Sequence, residues 1–207
     1  MNSTVSEEIA MTLLNLPLEV LTQLKSTIDN SENIFQFLGF SLNLQTGDLQ
    51  DVLQQNVVSP VIKDSTMYCQ LAELLIKYAY VGKHVRVGKL VNFKDFSGGY
   101  AYENAFYRRV VEFVVRSFVL CPQNLVEAAK LLGGRVLEYG DYSVEIEALP
   151  GVPLTFIIWA AEEDFPPSVK VLFDESAGKF FNVEDLSWLS DLTGWRLSVA
   201  QSVLKSK

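Results

Sequence analysis

The sequence predicts an α+β domain: an antiparallel sheet with helices packed on one face, the sheet drawn from a meander near 141–174 and a hairpin near 34–53. Three observations lead there. Apolar and polar residues alternate strictly over 141–149, with Tyr142, Val144, Ile146 and Ala148 on one face and Ser143, Glu145 and Glu147 on the other. Proline and glycine clusters, L-P-G-V-P-L and D-F-P-P, cut the stretch 133–186 into strand-length runs joined by turns. Elsewhere apolar residues recur at helical spacing.

The elements follow in order. Thr4 and Glu7 match a capping box ahead of Ile9, Leu13 and Leu14, and Pro17 opens a second helix striped by Val20, Leu21, Leu24 and Ile28. These make a helical arm over 1–30, followed by a single α+β domain over 31–207. A run rich in Phe and Leu turns at Thr46-Gly47-Asp48 to give the hairpin. Asp64 or Ser65 caps a helix to about Tyr80, with Met67, Leu71, Leu74, Leu75 and Tyr78 on one face. Residues 85–96 read as one or two short strands ending at Ser97-Gly98-Gly99, and a helix over 100–118 turns Phe106, Val110, Phe113 and Val114 inward. Pro122 opens a helix over 124–132 that Gly133-Gly134 ends. In the meander, 141–149 has the pattern of a strand covered on one side, 154–160 is apolar on both faces and therefore central, and 169–173 is the third strand. Asn182 with Asp185 caps the last helix, which is expected to break near Gly194.

Composition bounds the function. The 207 residues are 49% hydrophobic and 20% charged, values of a folded chain rather than a disordered one. No apolar run approaches the ~18 residues that would cross a bilayer, and the start lacks the basic and apolar regions of a secretory signal, so a cytoplasmic location away from membranes is expected. Cys69 and Cys121 are neither a disulfide framework nor a zinc ligand set. Charge is unevenly spread: residues 63–135 carry eleven basic and six acidic groups, and 138–191 carry two basic and twelve acidic ones. Such complementarity can hold the two stretches together or let copies associate as a homo-oligomer. Nucleic acid is disfavoured by an isoelectric point near 4.7.

The order G-G, G-D, L-P-G-V-P-L with a following Trp, D-F-P-P, L-F-D-E-S-A and V-E-D-L, preceded by F-K-D-F-S-G-G-Y-A-Y, resembles the prokaryotic domain-of-unknown-function family 3786 over about 34–196. The resemblance implies anaerobic bacteria and archaea and a family with no settled biochemical activity. Some members carry an iron–sulfur segment rich in cysteine ahead of the domain. This chain has no cysteine before Cys69, so a redox or corrinoid-related role would need a cluster supplied by a partner.

Two groups of residues are candidates for chemistry. Asp164, Asp174 and Glu184 are oxygen ligands suited to Mg²⁺ or Ca²⁺ if they converge; the competing structural reading makes Asp174 a turn residue and Glu184 part of a helix start, with Asp164 and Asp174 near opposite ends of one strand. Tyr100, Tyr102, Arg108 and Arg109, with Trp159 on the meander, suit a planar or anionic ligand, and Gly98-Gly99 would let backbone approach it; the competing reading is a core stripe. Cys121 precedes a helix N-terminus and is either a stabilised thiolate or a buried or partly buried structural thiol. His84 is the single histidine and reads as a surface residue. No complete catalytic constellation is present, and no cofactor is indicated. The leading reading is therefore a non-catalytic accessory module of anaerobic prokaryotic metabolism that binds a small anionic or planar ligand or a protein partner. The alternative is a divalent-metal-dependent hydrolase or transferase using the acidic residues of the C-terminal half.

Overall fold

The computed structural model describes residues 25, 33–44, 49–53, 56–57, 65–81 and 86–206. Apart from Lys25, the 1–30 arm lies outside the described residues, as do the Thr46-Gly47-Asp48 turn and His84. The chain divides into two compact units, Met1–His84 and Val85–Lys207.

The first unit holds a four-stranded antiparallel sheet in the order β1-β2-β3-β4: β1 Ile34–Phe37, β2 Phe40–Asn43, β3 Leu49–Asp51 and β4 Asn56–Val57. Strands β2 and β3 pair as the arms of the expected hairpin, and β1 and β2 form a further hairpin ahead of it. Leu38 and Gly39 both take positive φ, 47° and 74°, so two residues reverse the chain with the twist that paired strands require. Helix α1, Ser65–Val81, buries Leu71, Leu74, Leu75 and Tyr78 as its spacing predicts, and the Tyr78 ring lies 5.9 Å from that of Phe35 on β1.

The second unit is built on a five-stranded antiparallel sheet in the order β5-β9-β8-β7-β6: β5 Leu90–Asn92, β6 Arg135–Leu137, β7 Tyr142–Leu149, β8 Val152–Trp159 and β9 Ser168–Asp174. The meander is its middle, with β8 central as its two apolar faces imply. Pro153 is tolerated there because it is the second residue of β8, beside an irregularity in the register between Glu147 and Leu149. The three-residue strands β5 and β6 close the two edges. The sequence reading of the meander missed β6, which is too short to show alternation.

Helices lie against the face that carries Ile146, Leu154 and Phe173. Helix α2, Gly99–Phe106, continues through a π turn, Tyr107–Val111, into α3, Glu112–Phe118, where one uninterrupted α-helix was expected. The extra residue in that turn keeps Phe106, Val110, Val111, Val114 and Phe118 all buried. Phe93 stacks on Phe106 at 4.1 Å, and the Phe96 ring meets Phe173 edge-on at 5.4 Å. Helix α4, Gln123–Leu131, follows Pro122 and ends at Gly133, whose φ is 76°.

Helix α5, Val183–Lys205, is capped by Asn182 and Asp185 in a reciprocal box, as read from the sequence. It does not break at Gly194. Leu192, Thr193, Gly194, Arg196 and Leu197 are all buried, so packing on both sides of the glycine overrides its poor helical propensity. Cys121 is exposed, which removes the reading of a buried or partly buried structural thiol. Among the described residues, no helix is long and apolar enough to cross a membrane.

Candidate functional site

The other face of the five-stranded sheet departs from the expectation of a strand covered on one side. Ser143 and Glu145 of β7 are buried along with Val144 between them, at 0% and 9% exposure. Register explains which side chains meet Glu145. Arg135 on β6 stands directly opposite it and Thr155 on β8 flanks it, while Pro153, Asp174 and Leu90 belong to the same face of their strands.

Glu145 is held from two directions. Arg135 grips it with two parallel bonds, Nε to Oε1 at 2.9 Å and Nη2 to Oε2 at 3.0 Å, and Arg86 Nη2 donates to Oε1 at 2.7 Å. Arg86 also lies 3.5 Å from Glu147 Oε1. Burial alone would raise the Glu145 carboxyl, but hydrogen bonds and charge from Arg135 and Arg86 outweigh it and hold its pKa below the ordinary glutamate value.

Arg86 belongs to a segment, 86–89, that Asp174 ties to the end of β9. The Asp174 carboxylate accepts from the Val87 amide at 3.1 Å and the Gly88 amide at 2.7 Å, and from both the amide and the hydroxyl of Ser176. Gly88 has φ 78°, the left-handed conformation that glycine adopts without strain. The segment is completed by Lys89, whose carbonyl accepts from the Glu175 amide at 2.8 Å and whose Nζ lies 2.6 Å from Glu175 Oε1. Burial would raise the Asp174 carboxyl, yet the bonds from Ser176, Val87 and Gly88 prevail and lower its pKa.

Both shifts have the same sign and predict the same pH dependence. A carboxyl whose folded pKa is depressed contributes stability that is fully present above its unfolded pKa and is lost as pH falls through the folded one. Urea unfolding is therefore expected to give constant stability near neutrality and a decline below roughly pH 5, with a shallower decline in Asp174→Asn. An unchanged slope in that variant would exclude Asp174 as a contributor.

Between segment 86–89 and the sheet lies a cavity of about 140 Å³ lined by Arg86, Gly88, Leu90, Arg135, Leu137, Tyr139, Glu145, Pro153 and Asp174. Among the described residues its charged groups are two guanidiniums and two carboxylates. The carboxylate oxygens already accept from several donors, and Arg86 Nε is buried without a hydrogen-bond partner among the described residues.

The residues singled out from the sequence are dispersed. Asp164 is exposed in the turn bridged by Glu162 and Phe165, Asp174 anchors segment 86–89, and Glu184 is exposed in the first turn of α5. They are not gathered: among the described residues no group of three or more His, Cys, Asp or Glu could hold a metal ion. Tyr100 is 81% exposed and Tyr102 is exposed one turn into α2. Arg108 Nε donates back to the Asn104 carbonyl, and Arg109 pairs with Asp191 of α5. Trp159 ends β8, with Lys170 Nζ 5.6 Å above its ring. The Gly98-Gly99 pair serves packing, since Gly99 is pressed onto the Phe93 carbonyl and its own amide donates to the Phe96 carbonyl.

Neither Arg86 nor Arg135 lies in a motif that marks a binding site. The charge asymmetry was the signal that could have found them. Bases of the 63–135 stretch pair with acids of 138–191 in Arg86–Glu145, Lys89–Glu175, Arg109–Asp191 and Arg135–Glu145.

No curated protein and no solved structure matches the chain. One family model does, described as Domain of unknown function (DUF3786), and it spans residues 18–194. That span takes in the cavity, segment 86–89 and the whole meander, and the chain belongs to this family.

Proposed function

We propose that the chain is a non-catalytic binding module, a cytoplasmic accessory component in the anaerobic prokaryotic setting that its family resemblance implies, and that its ligand site is the cavity between Arg86 and Arg135. The observation that carries this reading is a cavity of about 140 Å³ whose lining joins the Arg86 and Arg135 guanidiniums to an apolar wall of Leu90, Leu137 and Pro153. The two carboxylates there support binding over catalysis. General acid–base chemistry is served by a pKa near the working pH, and both carboxyls are pushed away from neutrality instead. A metal-dependent hydrolase has less support, because the Asp174 oxygens are taken by amide and hydroxyl donors.

Native mass spectrometry of protein purified without oxygen tests the proposal against the denatured mass. The expected result is extra mass that is lost on denaturation, retained in Arg108→Ala and absent in Arg86→Ala. Retention in Arg86→Ala, or loss in Arg108→Ala with the fold intact, would move the site to the tyrosine face of α2. A bare mass, together with no change in melting temperature across a panel of small anions and neutral acceptors, would overturn the reading.

A further inference from the structure

The charged groups that line the cavity are already spent on protein partners. Arg135 gives two parallel bonds to Glu145, and Arg86 directs one Nη at Glu145 and Glu147. Asp174 accepts from the Val87, Gly88 and Ser176 amides and from the Ser176 hydroxyl. Among the described lining residues two guanidiniums stand against two carboxylates, so the formal charge is balanced. An entering anion would have to take a guanidinium from Glu145, and an entering cation would have to draw a carboxylate from its donors. Either exchange leaves a buried charge short of its partner, which is costly away from water. A molecule without charge disturbs none of these bonds. It finds an apolar wall in Leu90, Leu137 and Pro153, and Tyr139 is the one uncharged polar side chain among the described lining residues. Tyr139 is exposed at 49%, and its hydroxyl can donate to an acceptor or accept from a donor. A volume of about 140 Å³ is close to that of a cavity known to house a six-carbon ring, so roughly six heavy atoms fit.

We infer that the cavity takes a small uncharged amphiphile, its apolar end along Leu90, Leu137 and Pro153 and its polar group hydrogen-bonded to the Tyr139 hydroxyl. This rests on the cavity being the ligand site and adds the class of ligand. Arg86, Arg135, Glu145 and Asp174 are then the frame of the site: they hold segment 86–89 on the sheet, and because each is already paired they select against ions of either sign.

Butyramide, butyrate and butyramidinium share one size and shape and are uncharged, anionic and cationic in turn, so titrating each into the isotope-labelled full chain and following its amide NMR signals tests the inference. Butyramide is expected to shift the Gly88, Leu137 and Tyr139 amides, and each ion to bind about tenfold more weakly or worse. Tyr139→Phe, which removes only a hydroxyl from a half-exposed ring, is expected to weaken butyramide about fivefold, the worth of one neutral hydrogen bond. Its amide spectrum controls for folding. Binding of butyrate or butyramidinium as tight as that of butyramide, with the same amides shifted, would overturn the uncharged class and leave the cavity as the site. Butyramide affinity unchanged in Tyr139→Phe would overturn the assignment of its polar group to Tyr139. No shift of these amides by any of the three probes would overturn the inference, and together with a bare native mass it would overturn the reading beneath it as well.

Discussion

Gly99→Ala is expected to destabilise the protein by about 3 kcal/mol or more, the upper range of overpacking. A methyl group at this position would stand 2.1 Å from the Phe93 carbonyl oxygen and 3.0 Å from Lys94 Cα. Both are backbone atoms, held by the 3₁₀ turn Phe93–Asp95 and by its Asn92–Asp95 capping box, so neither can swing aside as a flexible side chain would. Relief requires α2 to lift from the turn. That movement would separate Phe106 from Phe93, with which it stacks at 4.1 Å, and loosen the contact of both rings with Phe173. For a chain of this length the melting temperature should fall by roughly 6–12 °C. Gly133→Ala is the control. Gly133 has φ 76° with nothing within 4 Å of an added methyl, so it carries only the left-handed backbone penalty, about 1 kcal/mol. Equal losses in the two variants would mean that α2 does not approach the turn so closely.

Asp174→Ala is expected to cost about 3 kcal/mol and to free segment 86–89 locally. The carboxylate is 3% exposed and accepts from three amides and one hydroxyl, each such charge-assisted bond being stronger than a neutral one. Val87 and Gly88 are exposed and can turn to water when the acceptor goes, which keeps the total well below the sum of four bonds. Asp174→Asn retains one acceptor oxygen and should lose about half as much. Urea unfolding measures the loss, and hydrogen exchange locates it: the Val87 and Gly88 amides should lose protection in Asp174→Ala while those of β8 keep theirs. Protection at Val87 and Gly88 equal to that of the unmodified chain would refute the anchoring role. The same variants separate anchoring from metal binding. If Asp174 anchors backbone, chelator leaves the melting temperature of the unmodified chain where it was.

The cavity was less legible in the sequence than the frame that holds it. The alternation of 141–149 correctly assigned Val144 and Ile146 to one face and Glu145 to the other, but it could not say that the second face would also be covered. Glu145 is buried because Arg86, 59 residues away, and Arg135, 10 residues away, arrive above it. Asp174 is similar. Its turn-forming role with Ser176 is local and was foreseeable, while its hold on Val87 and Gly88 spans 87 and 86 residues.

The sequence by itself determined the α+β class, the central place of β8, the apolar face of α1 and the Asn182–Asp185 cap. Each follows from residues within a turn or a strand length of one another, where periodicity and hydrogen-bonding reach act directly. Only the tertiary structure decided the unbroken run of α5 through Gly194, the π turn at Tyr107–Val111 and the arginine-lined cavity. Those depend on strand register and on burial by distant segments, which set the final partners of a side chain after its local preference has been expressed.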